Sequence, residues 1–500
     1  MSKKAKALQE RLSFLCFFEG RGADLSDILS VGIDIGTSTT QLVFSRISME
    51  NMSGYFCVPR ICIVDKEVIY KSQVHLTPLK NSVLIDGEAI REIVAEEFRR
   101  AGFTPKDVDT GAVIITGESA RKENAAAVLD KLGGFAGEFV VSTAGPDLES
   151  IIAGKGSGVF QYTIDNTCTA VNLDIGGGTT NIVFFDNGEV VSKGCLDIGG
   201  RLIRLAKDLT VESVSPAAGK VAQHLGIRLS VGQKTSISDL EKITDKMADL
   251  LAQALYIKPQ EPLLREVMTP GSAWLELQNK RINRICFSGG VADCITKLDG
   301  DPIPYGDIGV LLGRSIARGA LMQAIPTVSG TETIRATVVG AGTYTTTISG
   351  STITYAQELF PMKNIPALKL SLQEQEDCFA GKYTPLVEKI RWFMQQSEAD
   401  RLILALPGAA NPEYKEVKAL AHSLCEATDR ALPAGAPVLI VLEQDIAKAL
   451  GILMEKELSG RRKVACIDGI KVEQGDYVDL GKPMLNGLVI PVVVKTLLFG

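Results

Sequence analysis

Two features of the 500-residue sequence predict an α/β fold made of two similar halves with a further α/β unit behind them. The first is an internal repeat. Residues 31–44 read VGIDIGTSTTQLVF and residues 171–184 read VNLDIGGGTTNIVF, identical at eight of fourteen positions and 140 residues apart. A period that long points to two related domains, not to a solenoid of short units. The second is the alternation of apolar, β-branched runs with stretches of helical period, the pattern of buried sheets flanked by helices. Length alone allows about three domains of about 150 residues.

Each copy of the repeat reads as strand, Gly/Thr-rich turn and return strand, with Asp34 and Asp174 at the ends of the first strands. Between the copies we expect a helix over 89–101, a strand over 112–116, a helix over 120–132, a strand over 138–142 and a helix over 146–154. Residues 201–280 carry helical periodicity, as in 237–256, with few strand signals. RICFSGGVAD (284–293) reads as strand, Gly-Gly turn and helix start, and GVLLGRSIARGALMQA (309–324) as one amphipathic helix rich in small residues. Beyond Pro326 we expect a strand pair, 334–340 and 343–349, around a GAG that leads into a Thr-rich strand and is discounted as a nucleotide loop. Charged helices over 371–400 follow, then a β-α-β-α-β alternation to KVACIDGIKV and closing strands over 478–499. These elements divide the chain into an N-terminal extension (1–30), a first half (31–165), a second half (166–325) with a helical insertion at about 205–280, and a C-terminal α/β domain (326–500).

Composition excludes several classes. The net charge is −6, from 53 Lys+Arg and 59 Asp+Glu, which disfavours a phosphate-backbone binder, so no nucleic acid is expected. No apolar run reaches 18 residues, so no membrane span is expected, and the patch at 12–18 is too short for a signal peptide. Three histidines, His75, His224 and His422, lie far apart, against a multi-histidine metal site. Ten cysteines without a CxxC read as reduced, mostly buried thiols in a cytoplasmic protein. Glycine is enriched, 48 of 500 residues, against a usual ~7%.

The repeat suits Mg²⁺-phosphate chemistry. Gly36 and Gly176, Gly177 and Gly178 are free to take positive φ and to let backbone N–H groups approach phosphate oxygens. Thr37, Ser38, Thr39, Thr179 and Thr180 add hydroxyls. Asp34 and Asp174 would face each other across a cleft and hold Mg²⁺ through its waters, because Mg²⁺ dehydrates reluctantly. One such turn is more often only a hairpin; two copies joined by α/β segments shift the balance to a binding site.

These motifs resemble the actin-like ATPase superfamily, which includes the DnaK-type heat-shock chaperones, actin and sugar kinases. That resemblance implies duplicated ribonuclease H-like halves around a nucleotide cleft. Residues 31–44 look like its first phosphate motif, 171–184 like its second, and FSGGVAD (287–293) like its adenosine motif, with Gly289 and Gly290 near the nucleotide. STAGPDLESIIAGKG (142–156) resembles the first connecting helix, GVLLGRSIARGALMQA the second, and DIGGRLI (197–203) the segment after the second phosphate motif. Where the superfamily often places the Glu or Gln that orients the attacking water, this chain has Gly145, with Glu118, Asp147 and Glu149 as substitutes. The resemblance therefore implies ATP and Mg²⁺ as cofactors and slow hydrolysis.

SVGIDIGTSTTQLVFSR, IITGESARKENA, GPDLESIIAGKGSG, LDIGGGTTNIVFFDNG, RATVVGAGTYTTTISGSTI, VLIVLEQDIAKALG and GDYVDLGKPMLNGLVIPVVVKTLLF together look like the ethanolamine ammonia-lyase reactivating factors, from residue 30 nearly to the C-terminus. That likeness implies an ATP-dependent chaperone-like reactivase whose partner is an adenosylcobalamin enzyme, ethanolamine ammonia-lyase. It would promote release of damaged cobalamin in ethanolamine utilisation, in the cytoplasm or with a bacterial microcompartment, and it admits a homo-oligomer. A small-molecule kinase on the same fold is the alternative, with Asp147 or Asp197 as its base; a filament or membrane-tethered scaffold ranks third, for want of a clear amphipathic terminal helix.

Overall fold

The computed structural model describes residues 26–496 except 53–60, 81–83, 117–118, 120–123, 133–140, 144–145, 273, 278–279, 297–298, 345–346, 351, 398 and 485–486. Glu118, Gly145 and residues 1–25 lie outside the described residues, and residues 26–30, expected as the end of an N-terminal extension, are instead the first half of the strand Ser26–Ile35.

The first sheet contains β1 (Ser26–Ile35), β2 (Thr39–Asn51), β3 (Ile61–Lys71), β4 (His75–Leu76), β5 (Thr110–Ile115) and β6 (Val141–Thr143), in the order β3-β2-β1-β5-β6 with β4 against β2. β1, β2 and β3 form an antiparallel meander, and β5 and β6 add on in parallel. The second sheet repeats the plan. β7 (Thr169–Ile175), β8 (Thr180–Asp186) and β9 (Glu189–Leu196) form the meander, and β12 (Arg284–Ser288) lies parallel beside β7. β5 is buried along its whole length and β7 at every position but its first, as expected of strands covered on both faces. This is the actin-like arrangement of two ribonuclease H-like halves.

Between β9 and β12, residues 201–280 carry the helices Pro216–His224, Ile237–Ala254 and Pro262–Glu266, joined by turns and loops that make up more of the segment than helix does. Ser236 caps the helix Ile237–Ala254 through Asp239 N at 3.1 Å. A short antiparallel pair, β10 (Ile203–Leu205) with β11 (Val211–Val214), precedes these helices. The helix expected over 309–324 is two: Gly309–Arg318 and Ala320–Ala324, separated at Gly319, where the backbone turns to ψ 176°.

Two expectations are overturned beyond residue 330. The anticipated strand pair 334–340 and 343–349 is instead a helix, Ala336–Tyr344, followed by the two-residue β13 (Thr347–Ile348). Val and Thr in ATVVGAGTY favour strand, but burial of this segment against β1, β2 and the helix Pro146–Gly156 overrides the local preference. The same helix, not 309–324, is the one that returns to the first half: Gly309–Arg318 packs inside the second half on the helices Ile237–Ala254 and Ala292–Ile295.

The strap before it ties the halves together. Thr331 N donates to Ser157 O at 2.8 Å, Gly289 N to Thr333 O at 3.0 Å, and Arg335 Nη2 to Ser72 O at 3.0 Å. The two connecting helices, Pro146–Gly156 and Ala336–Tyr344, touch through glycines: a Cβ on Gly156 would stand 2.6 Å from Gly340 N.

The third sheet has eight strands: β13, β14 (Thr354–Tyr355), β15 (Met362–Lys369), β16 (Ile403–Leu406), β17 (Val438–Leu442), β18 (Val464–Ile467), β19 (Asp476–Leu480) and β20 (Pro491–Thr496). Their order is β13-β20-β19-β15-β16-β17-β18-β14, with β15 to β18 parallel and antiparallel strands at both edges. Helices Thr384–Ser397, Tyr414–Ala431 and Ala447–Leu458 bury one apolar face against it. Val493 of β20 packs with Ala341 and Ile152, so this unit rests on the connecting helices.

Candidate functional site

The two meanders meet at a cleft of about 590 Å³. Its floor is the pair of hairpin turns. In each, a glycine N–H closes the turn on the residue three further on, Gly36 N to Thr39 O and Gly176 N to Thr179 O, both at 2.9 Å. Asp34 and Asp174, the last-but-one residues of β1 and β7, line the cleft and are 8% and 6% exposed.

A neighbouring parallel strand supplies each aspartate with a hydroxyl. Thr116, just past β5, donates to Asp34 Oδ1 at 2.9 Å; Ser288, the last residue of β12, donates to Asp174 Oδ1 at 2.6 Å. Ser288 in turn accepts from Asn172 Nδ2 at 2.9 Å, so its single proton is committed to the carboxylate. Thr337, on the second connecting helix, donates to Asp174 Oδ2 at 3.2 Å. Burial pushes the Asp34 carboxyl up to about 7, eased by Thr116 and reinforced by the charge of Asp174. Burial also raises Asp174, against the two hydroxyl donors.

The glycines act by close approach, not by the positive φ expected of them. Gly36, Gly176, Gly177 and Gly178 all stay out of the left-handed region. A Cβ on Gly177 would run into the Ser38 hydroxyl of the opposite hairpin, so the loops face each other at contact distance. The left-handed residue is Gly289, φ 82°, where a Cβ would stand 2.6 Å from Ile175 C; this turn is pinned to the end of β7, with Val291 N donating to Ile175 O at 3.1 Å. Gly290 beside it faces open space.

The cleft is also lined by Thr37, Ser38, Thr39, Thr179, Glu149 and, further out, by Asp293, Tyr305 and the Arg201–Asp307 pair, 3.6 Å apart. Asp147 and Asp197 do not line it. Asp147 pairs with Lys193 at 3.3 Å, and Asp197 accepts from Thr269 Oγ1 at 2.7 Å.

The family profile described as "Ethanolamine utilisation protein EutA" matches residues 26–500. This chain belongs to the EutA family. The ethanolamine ammonia-lyase reactivase EutA of Escherichia coli strain K12 is 34% identical over 476 residues, covering 94% of this chain and 98% of that protein. The reactivase of the same name from Salmonella typhimurium strain LT2 is 34% identical over 477 residues, with the same coverage. Among solved structures, the ethanolamine utilisation protein EutJ from Carboxydothermus hydrogenoformans aligns with 63% of this chain and 89% of its own, at 16% identity and a TM-score of 0.30.

The donor set of this EutA cleft fits a hard divalent cation. Two buried carboxylates face a lining whose cation, among the described residues, is Arg201, already paired with Asp307. A phosphate chain by itself would meet net negative charge, so it needs a metal to enter. No three His, Cys, Asp or Glu side chains come together as a protein-only metal cage among the described residues. Sequence reading missed Ser288, Thr337, Gln41, Arg201 and Asp307. Ser288 had a signal: IITG (114–117) and CFSG (286–289) both end a strand on hydroxyl-glycine.

Proposed function

We propose that this EutA chain is an ATP- and Mg²⁺-dependent reactivase of ethanolamine ammonia-lyase, promoting exchange of damaged cobalamin for intact adenosylcobalamin. The observation that carries the reading is full-length likeness: proteins named as that reactivase are 34% identical across 94% of the chain, cleft and third sheet included.

In this reading Asp34 and Asp174 hold the cation through its waters. The backbone N–H groups and hydroxyls of 36–39 and 176–179 take the phosphates, and the Gly289–Gly290 turn takes the adenosine. The bound Mg²⁺ neutralises phosphate charge. The nucleotide favours the closed cleft by its differential affinity, and that difference bounds the work the chain does on the lyase. Of the carboxylates proposed to orient water, Glu149 lines the cleft and is 7% exposed, on the connecting helix Pro146–Gly156. Hydrolysis is slow and serves as a switch; steady-state turnover near ~10 per second would sink that part. A kinase would need a base beside its substrate, and neither Asp147 nor Asp197 lines the cleft.

The test is rescue of inactivated ethanolamine ammonia-lyase with ATP, Mg²⁺ and fresh adenosylcobalamin. Wild type restores turnover and omission of ATP abolishes it. No rescue by wild type overturns the function. Full rescue by both Asp34→Ala and Asp174→Ala overturns the site.

A further inference from the structure

Gln41 lies on β2 directly opposite Asp34 in the β1–β2 register, lines the cleft and is 3% exposed. Its amide orientation is fixed. Nε2 donates to the carbonyl oxygen of Ile334 at 3.1 Å, and a carbonyl can only accept, so the amide cannot be turned round without losing that bond. The other end of the amide, Oε1, is buried and has no hydrogen-bond partner. A buried amide oxygen without a donor is costly, and native proteins keep few of them unless a water or ligand completes the set.

The chemistry of the cleft restricts what completes it. Phosphate oxygens and ionised carboxylates only accept, so neither a phosphate nor Asp34, once a cation in the cleft holds it ionised, can satisfy Oε1. The Thr116 hydroxyl is already spent on Asp34. A water bound to a divalent cation turns its lone pair to the metal and its acidified protons outward, which makes it a strong donor toward the ring of acceptors around it. Asn181 occupies the matching register opposite Asp174 and also carries a buried unpartnered oxygen, but it does not line the cleft, so the feature serves the first half alone.

We propose that Gln41 is a positioning residue for the divalent cation of the cleft: its side-chain carbonyl accepts a hydrogen bond from a cation-bound water beside Asp34, while its amide N–H₂ anchors that water to the strap leading into the second connecting helix. The proposal rests on the magnesium-nucleotide reading above. Removal of an outer acceptor of this kind typically lowers metal affinity by about 10–100-fold.

The experiment is a Mg²⁺ titration of ADP binding to the full chain, followed with a fluorescent ADP analogue, for wild type, Gln41→Leu and Gln41→Glu, with ADP affinity in EDTA measured alongside. Gln41→Leu should raise the half-saturating Mg²⁺ by at least ~10-fold while leaving the EDTA affinity unchanged. Gln41→Glu, which keeps an acceptor, should recover most of the loss and also shows whether the position tolerates substitution. A Gln41→Leu titration that overlays wild type refutes the proposal. So does an equal loss with and without Mg²⁺, which would mark a purely structural role. Wild-type ADP binding that ignores Mg²⁺ would instead overturn the underlying metal-nucleotide reading, and with it the role of Gln41.

Discussion

Replacing Gly340 with alanine should damage stability and nucleotide binding together, although Gly340 does not line the cleft. A Cβ there would stand 2.8 Å from Ile152 C and closer still to the Ile152 carbonyl oxygen, where ordinary contact begins at 3.4 Å. The obstacle is helix backbone, which cannot rotate aside. The connecting helices must therefore move apart by roughly 1 Å, and overpacking of this kind costs about 1–3 kcal/mol, here at the upper end. That is survivable against a stability of about 5–15 kcal/mol. The functional cost arises one turn away: Thr337 reaches Asp174 at 3.2 Å, and a shift of that size breaks the bond. A hydrogen bond to a charged group is worth about 1.5–3 kcal/mol, so ADP affinity should fall at least ~10-fold. Urea unfolding and fluorescent ADP binding read the two effects. Gly156 faces Gly340 across the same contact, so the double variant Gly156→Ala/Gly340→Ala should lose less stability than the two singles summed. Wild-type stability and affinity in Gly340→Ala, or strict additivity in the pair, would refute the reasoning.

Ser288→Ala removes the 2.6 Å donor to Asp174 and strands Asn172 Nδ2, so Mg²⁺-ADP affinity should drop ~10-fold or more while Ser315→Ala, at a buried hydroxyl of the second half outside the cleft lining, leaves it unchanged in the same titration. Gly219→Ala, inside the helix Pro216–His224 with nothing near its missing Cβ, should raise the urea midpoint by the equivalent of about 0.5–1 kcal/mol; a lower midpoint contradicts the packing described. Burial, with the charge of Asp445 adding to it, pushes the Asp468 carboxyl up to about 6 from 3.8. Between those values the folded chain holds a proton that the unfolded chain has lost, so this group's contribution to stability declines as pH rises through the window and is lost above it. Asp468→Asn should gain on wild type by at most about 3 kcal/mol between pH 4 and pH 7 in urea unfolding, and a gap that moves the other way refutes the assignment.

The parts of the fold read correctly from sequence were those whose cause is local. The hairpins at Asp34 and Asp174 announce themselves because β-branched strands around a Gly/Thr turn have few other conformations. The helix Ala336–Tyr344 did not, because nothing within ATVVGAGTY separates a buried strand from a buried helix; the decision comes from Ile152 and Gly156, some 180 residues earlier in the chain. The superfamily resemblance put the second connecting helix at 309–324, a segment rich in small residues, which is the wrong place. Close packing needs a glycine facing a backbone, and Gly313 faces Cys294 inside the second half, whereas Gly340 faces the partner connecting helix. Thr337 was lost with that helix. Ser288 was within reach, since hydroxyl-glycine closes the strand beside the aspartate in both halves.

Duplication places two aspartates at one cleft, and the differences between the halves are what give it a direction. Asp34, among the described residues, accepts a side-chain hydrogen bond from Thr116, and burial raises its carboxyl to about 7, so a cation beside it relieves that cost. Asp174 is held by Ser288 from its own half and by Thr337 from the helix that returns to the other. Gln41 reaches in the opposite sense, from the first half to Ile334 on the same strap. Any charge that settles between Asp34 and Asp174 therefore acts on two hydrogen bonds that both end on residues 334–337, and those residues lead into the glycine contact between the connecting helices and onward to Val493 of the third sheet. A symmetric site would pull its two halves together and stop there. This one also joins the cleft, through residues 334–337 and the connecting helices, to Val493 of the C-terminal sheet.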